Sequence, residues 1–94
     1  MRTYELMYII RPDLDEEALN GVVDKFDQLI TNHGGEVINT NRWGKRRLAY
    51  EINDYREGFY ILEHFKGNSA TEIELERVLK LTDAVLRFLI TRKL

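Results

Sequence analysis

The chain has 94 residues, 44% of them hydrophobic and 11% aromatic, with no cysteine and a formal charge of -2. That length and composition predict one domain with its own core, and the lack of cysteine excludes disulfides and thiolate metal sites. The near-neutral charge excludes a globally basic nucleic-acid binder, so any electrostatic case rests on local clustering.

The start, Met1-Arg2-Thr3-Tyr4-Glu5, lacks the basic region and long apolar run of a secretory signal, and none is expected. No window approaches the ~20 apolar residues of a membrane span. Residues 3–10 alternate, with Tyr4, Leu6, Tyr8 and Ile10 on one face and Thr3, Glu5, Met7 and Ile9 on the other. That period of two predicts a strand. Arg11-Pro12-Asp13 stops it, because proline lacks the ladder donor and restricts the residue before it.

Asp13 with Glu16 approaches a capping box, and Leu19, Val22, Val23, Phe26, Leu29 and Ile30 follow as one helical stripe. A helix over about 14–32 is predicted, ended by Gly34 or Gly35. An extended stretch then runs from Glu36 to about Ile52. It is too long for one flat strand, and Gly44 is its natural bulge point. Residues 53–58 read as a turn and Phe59 to Phe65 as a third strand, with Glu63 on the richer apolar side; a place near the sheet end would account for it.

Ser69 with Glu72 opens a second helix, whose inner stripe is Leu75, Val78, Leu79 and Thr82. Ala84 to Lys93 is the last strand, with Ala84, Leu86, Phe88 and Ile90 on one face. The order βαββαβ, with right-handed crossovers, predicts an α+β ferredoxin-like domain over 1–94. Its antiparallel sheet takes the strand order 4-1-3-2, with both helices on one face.

No catalytic constellation emerges. His33 and His64 fall in different elements without ligand-like partners, and the carboxylates concentrate on helices as solvated faces. Gly34-Gly35 lacks the Lys-Ser/Thr of a phosphate loop. Neither an enzyme, a metal nor a cofactor is expected.

The stretch Arg42-Trp43-Gly44-Lys45-Arg46-Arg47 is different, with four cations beside an aromatic ring and a glycine. Cations offset phosphates, and arginine forks bind them bidentately. Spacing alone leaves two readings for these charges, phosphate contact or a solvated edge strand. Trp43 has two as well, stacking on a base or packing in the core, and packing is the expectation. Arg2 on the first strand and Arg87, Arg92 and Lys93 on the fourth are neighbours in a 4-1-3-2 sheet and join the RNA-binding candidates, with Lys80 a possible extension. On the sheet face away from the helices, Met7, Ile9, Tyr60, Leu62 and Leu89 form an uncovered apolar patch, the mark of a partner surface. Glu57-Gly58-Phe59-Tyr60-Ile61 matches the RRM third-strand motif poorly, so edges and loops are expected to meet RNA.

The opening Met-Arg-x-Tyr-Glu, the central Trp43-Gly44-Lys45-Arg46-Arg47-Leu48-Ala49-Tyr50-Glu51-Ile52 and the late Asp83-Ala84-Val85-Leu86-Arg87 together resemble the bacterial small-subunit ribosomal protein S6 family. The resemblance runs through essentially the whole chain. It implies a ferredoxin-like fold, binding to the central domain of the small-subunit rRNA, and a heterodimer with ribosomal protein S18 in the cytoplasmic ribosome. Glu51 stands where such proteins often have proline. Many carry a polar or acidic tail, and this sequence ends at Leu94, so no tail contact is expected. The rival readings are a messenger-RNA regulator of the same topology and a small-molecule-binding ferredoxin-like domain.

Overall fold

The computed structural model describes residues 1–93, in the order β1 (Arg2–Ile10), α1 (Glu16–Asn32), β2 (Glu36–Ile52), β3 (Tyr55–Gly67), α2 (Ser69–Leu81) and β4 (Val85–Lys93). All pairings are antiparallel and the strand order is β2-β3-β1-β4, which is the expected 4-1-3-2 arrangement. Alternation makes one face of this sheet a core. Tyr4, Leu6, Tyr8 and Ile10 of β1 and Ile61 and Phe65 of β3 meet Val23, Phe26 and Ile30 of α1 and Leu75 and Leu79 of α2. Tyr4 stacks on Phe65 at 5.1 Å, and Tyr8 meets Phe26 edge-on at 5.3 Å. Each fully buried side chain of this size contributes about 1.5–3 kcal/mol relative to exposure.

Both helix starts are displaced from the expected caps. Asp15, not Asp13, accepts from the Ala18 amide at 2.8 Å, because Asp13 is held by Arg11 at 2.8 Å and by the Tyr55 hydroxyl. Asn68, not Ser69, caps α2 in a reciprocal box with Thr71, and Thr82 caps its end instead of joining the inner stripe. The turn between β2 and β3 shrinks from six residues to Asn53 and Asp54, at φ of 50° and 69°. Asparagine and aspartate tolerate that region, and a two-residue turn of this hand matches strand twist, so pairing runs up to Ile52 and Tyr55.

β4 departs from simple alternation. A register shift sets Ile10 opposite Val85 and Ile9 opposite Arg87. Leu86 is the extra residue of this bulge, so Val85 packs on the core where Leu86 was expected. Glu63 also departs from expectation. It lies mid-sheet, opposite Leu6 and Thr40, and is 0% exposed.

Candidate nucleic-acid interface

β2 is an edge strand, and its register against β3 shifts three times, at Ile38, at Trp43 and between Arg47 and Ile52. The second shift is the bulge expected at Gly44, whose φ is +82°. Partners opposite each other share a face, so the bulge divides the basic stretch. Arg42 opposite Ile61, Lys45 opposite Phe59 and Arg47 opposite Glu57 take the helix side, and Arg46 opposite Gly58 takes the open side. Arg42 Nη1 donates to Asn20 of α1, and Lys45 Nζ lies 5.4 Å from the Phe59 ring centre. Arg46 donates to the Trp43 carbonyl at 3.3 Å and sits 5.4 Å from its ring. The cations therefore straddle the edge of the sheet.

Charge compensation differs between the two edges. Lys93 pairs with Glu5 at 3.2 Å, Arg92 with Glu72 at 3.7 Å and Lys80 with Glu76 at 3.3 Å. Among the described residues, no carboxylate forms an ion pair with Arg2, Arg42, Lys45, Arg46, Arg47 or Arg87. The eight candidate cations are thus not one surface. Those of β2 stand on one edge. On β4, the opposite edge, Arg92 turns to the helix side and Arg87 and Lys93 to the other.

The open face has ordered rows. Asn41, Leu62, Met7 and Leu89 cross its middle in register, and Asn39, His64, Glu5 and Thr91 form a polar row beside them. His64 bridges that row, 2.9 Å from Asn39 and 2.9 Å from Glu5. The next row carries Tyr60, Ile9 and Arg87, with the Trp43 ring parallel to that of Tyr60 at 6.4 Å. Leu89 is 65% exposed and a shallow hollow beside it is lined by Met7, Ile9, Arg87 and Phe88.

A family model for ribosomal protein S6 matches residues 3–92. The chain belongs to the ribosomal protein S6 family. It is 57% identical over 93 residues to the small ribosomal subunit protein bS6 of Desulfitobacterium hafniense, covering 99% of this chain and 98% of that one. To bS6 of Moorella thermoacetica it is 58% identical over 92 residues, covering 98% and 94%. The crystal structure of 30S ribosomal protein S6 from Thermotoga maritima superposes with a TM-score of 0.93 at 31% identity, covering 98% of this chain and 87% of that one. The protein is accordingly a ribosomal protein of the small subunit, part of the translating ribonucleoprotein of the bacterial cytoplasm.

Within this S6 chain, two expectations about the site are corrected. Trp43 is not in the core; it is 41% exposed on the open face, because the bulge adds one residue and reverses the alternation. Ile9 lies on the open face as expected but is only 7% exposed, its Cγ2 crowding the Gly58 backbone beside Leu48. Tyr50 is 56% exposed, with its ring 5.4 Å from the Arg87 guanidinium. A bulge glycine beside an aromatic was the signal that could have placed Trp43; nothing local to Tyr50 marks its reach to β4. His33 is a helix-cap residue with Nδ1 2.9 Å from the Leu29 carbonyl, and no metal-holding cluster occurs among the described residues.

Proposed function

We propose that this S6-family chain is a non-catalytic structural constituent that binds the central domain of the small-subunit rRNA jointly with ribosomal protein S18. The basic edge of β2 neutralises RNA phosphates and the open sheet face receives the protein partner. The observation that carries the RNA half is the contrast between edges. Arg42, Lys45, Arg46 and Arg47 have no carboxylate partners among the described residues, whereas Arg92 and Lys93 have theirs within the chain. Uncompensated cations on a strand edge repel one another unless an anion arrives, and an RNA backbone supplies closely spaced ones. Arg2 and Arg87 extend the set, with Arg92 and Lys93 as its outer members. The partner half rests on the Leu62, Met7 and Leu89 row, flanked by Tyr60 and Ile9, which neither helix covers.

Replacing Arg42, Lys45, Arg46 and Arg47 together with alanine tests the reading on the rRNA central domain with S18 present. With about four phosphate contacts, the log-log salt slope of wild type should be on the order of -3 to -4 and that of the variant much shallower. An unchanged slope takes β2 out of the RNA interface. Co-sedimentation with small subunits through a high-salt wash separates this function from a messenger-RNA regulator of the same topology, which would stay in the soluble fraction.

A further inference from the structure

Neither proposed surface uses Glu63. Its side chain lies under α1 in the middle of the sheet, with no exposed surface. Both of its carboxyl oxygens lack a hydrogen-bond donor, and Asp27 Oδ1 and the Tyr8 hydroxyl are buried without partners too. The groups facing this point are Tyr8 of β1, Asp27 and Asp24 of α1, and Thr40 and Arg42 of β2. Thr40 turns its hydroxyl toward Glu63 without closing a well-formed hydrogen bond. Arg42 directs Nη1 to Asn20. Ile90 of β4 completes the row beyond Leu6.

We propose that Glu63 is held as a protonated carboxylic acid in the folded chain and donates to Asp27, so that one shared proton ties β3 to α1 and makes the fold sensitive to alkaline pH. Two ionised carboxylates side by side in such a place would repel each other and lose hydration with nothing in return. Protonating Glu63 removes one charge and turns an acceptor into the missing donor. The buried oxygen of Asp27 then has a partner. Burial first, and the neighbouring Asp27 second, push the Glu63 carboxyl up to about 9 from an ordinary 4.5. Because Thr40 and Arg42 are on β2 next to the pair, loss of the proton loosens α1 from the root of the basic hairpin.

The sign follows from the raised value. Below the ordinary carboxyl pKa the group is protonated in folded and unfolded chains alike. Above it the unfolded chain gives up the proton while the folded one keeps it. Stability therefore falls with rising pH until the folded group also ionises.

The carboxyl carbon of Glu63, followed by NMR in the full-length wild-type chain, tests the state directly. It should hold its protonated shift through neutral pH; ionisation below about pH 6 overturns the proposal. In parallel, Glu63→Gln keeps the size and offers Asp27 an amide donor. The ratio of wild-type to variant folding constants should fall on the order of tenfold per pH unit through the neutral range, and parallel profiles overturn the proposal. Asp27→Asn removes the like charge and supplies a donor to Glu63. The Glu63 titration should then move to lower pH, and an unmoved titration overturns Asp27 as the proton's acceptor.

Discussion

The Tyr50 ring stands 5.4 Å from the Arg87 guanidinium, although Tyr50 belongs to β2 and Arg87 to β4, the two opposite edges of the sheet. β3 pairs with β1 only as far as Phe59 opposite Ile10, so residues 46–58 continue as a two-stranded extension. Leu48, 8% exposed, lies beside Gly58 and Ile9, and the extension thereby closes over one end of the open face. Tyr50→Ala and Arg87→Ala should each destabilise slightly, with a coupling of about 0.5–1 kcal/mol in a double-mutant cycle. Amide exchange at residues 48–52 should quicken in both variants. Additive losses would mean that the contact holds nothing.

Much of this fold was legible because one face of the sheet and one stripe of each helix are buried, which imposes periods of 2 and 3.6 on Tyr4-Leu6-Tyr8-Ile10 and on Val23-Phe26-Ile30. The misses share a cause. Leu86 and Trp43 are placed by bulges, and a bulge is defined by the partner strand, not by the strand that carries it. Asp13 lost the cap to Asp15 because Arg11 claims its carboxylate, a competition that spacing does not reveal. The basic stretch itself was visible, but that its cations lack carboxylate partners while Lys93 and Arg92 of β4 find Glu5 and Glu72 depends on residues distant in sequence.

Two glycines of the hairpin should fail for different reasons. A Cβ at Gly44 would meet no atom within 4 Å, but the φ of +82° is strained for any L side chain, so Gly44→Ala should cost about 1 kcal/mol. A Cβ at Gly58 would stand 2.4 Å from Ile9 Cγ2 and 3.2 Å from the Ile10 carbonyl oxygen. Overpacking of that kind costs about 1–3 kcal/mol, so Gly58→Ala should be the worse variant by urea midpoint. The reverse ranking would show that the crowding at Gly58 relaxes more easily than the backbone at Gly44.

On the acid side, the polar row of the open face supplies the sensitivity. Hydrogen bonds from His64 at 2.9 Å and then Lys93 at 3.2 Å hold Glu5 below its ordinary 4.5. A lowered folded pKa gives stability that is present above the ordinary value and is lost as pH falls through the folded one. Glu5→Gln should therefore flatten the acid limb of the stability profile, with the two proteins converging at the lowest pH. Parallel acid limbs would leave Glu5 without a role in it.

The partner face makes its sharpest prediction at Leu62. It is half-buried at the middle of the open face, between Asn41 and Met7 in register, with Leu89 beyond. A glutamate there keeps its carboxylate in water while the chain is alone, so folding should suffer by no more than about 1 kcal/mol, as for most surface changes. Against a docked partner the same carboxylate is buried without a cation, a penalty of about 2–5 kcal/mol, or roughly 30-fold to several thousand-fold in Kd. Leu62→Glu should therefore weaken binding of the proposed partner S18 by that factor in calorimetry, while far-UV circular dichroism and the urea midpoint stay near wild type. Leu89→Glu, at the rim of the same row, should weaken it less. Full affinity in the Leu62 variant would move the partner to another surface, and equal loss at both positions would place the centre of the contact nearer β4.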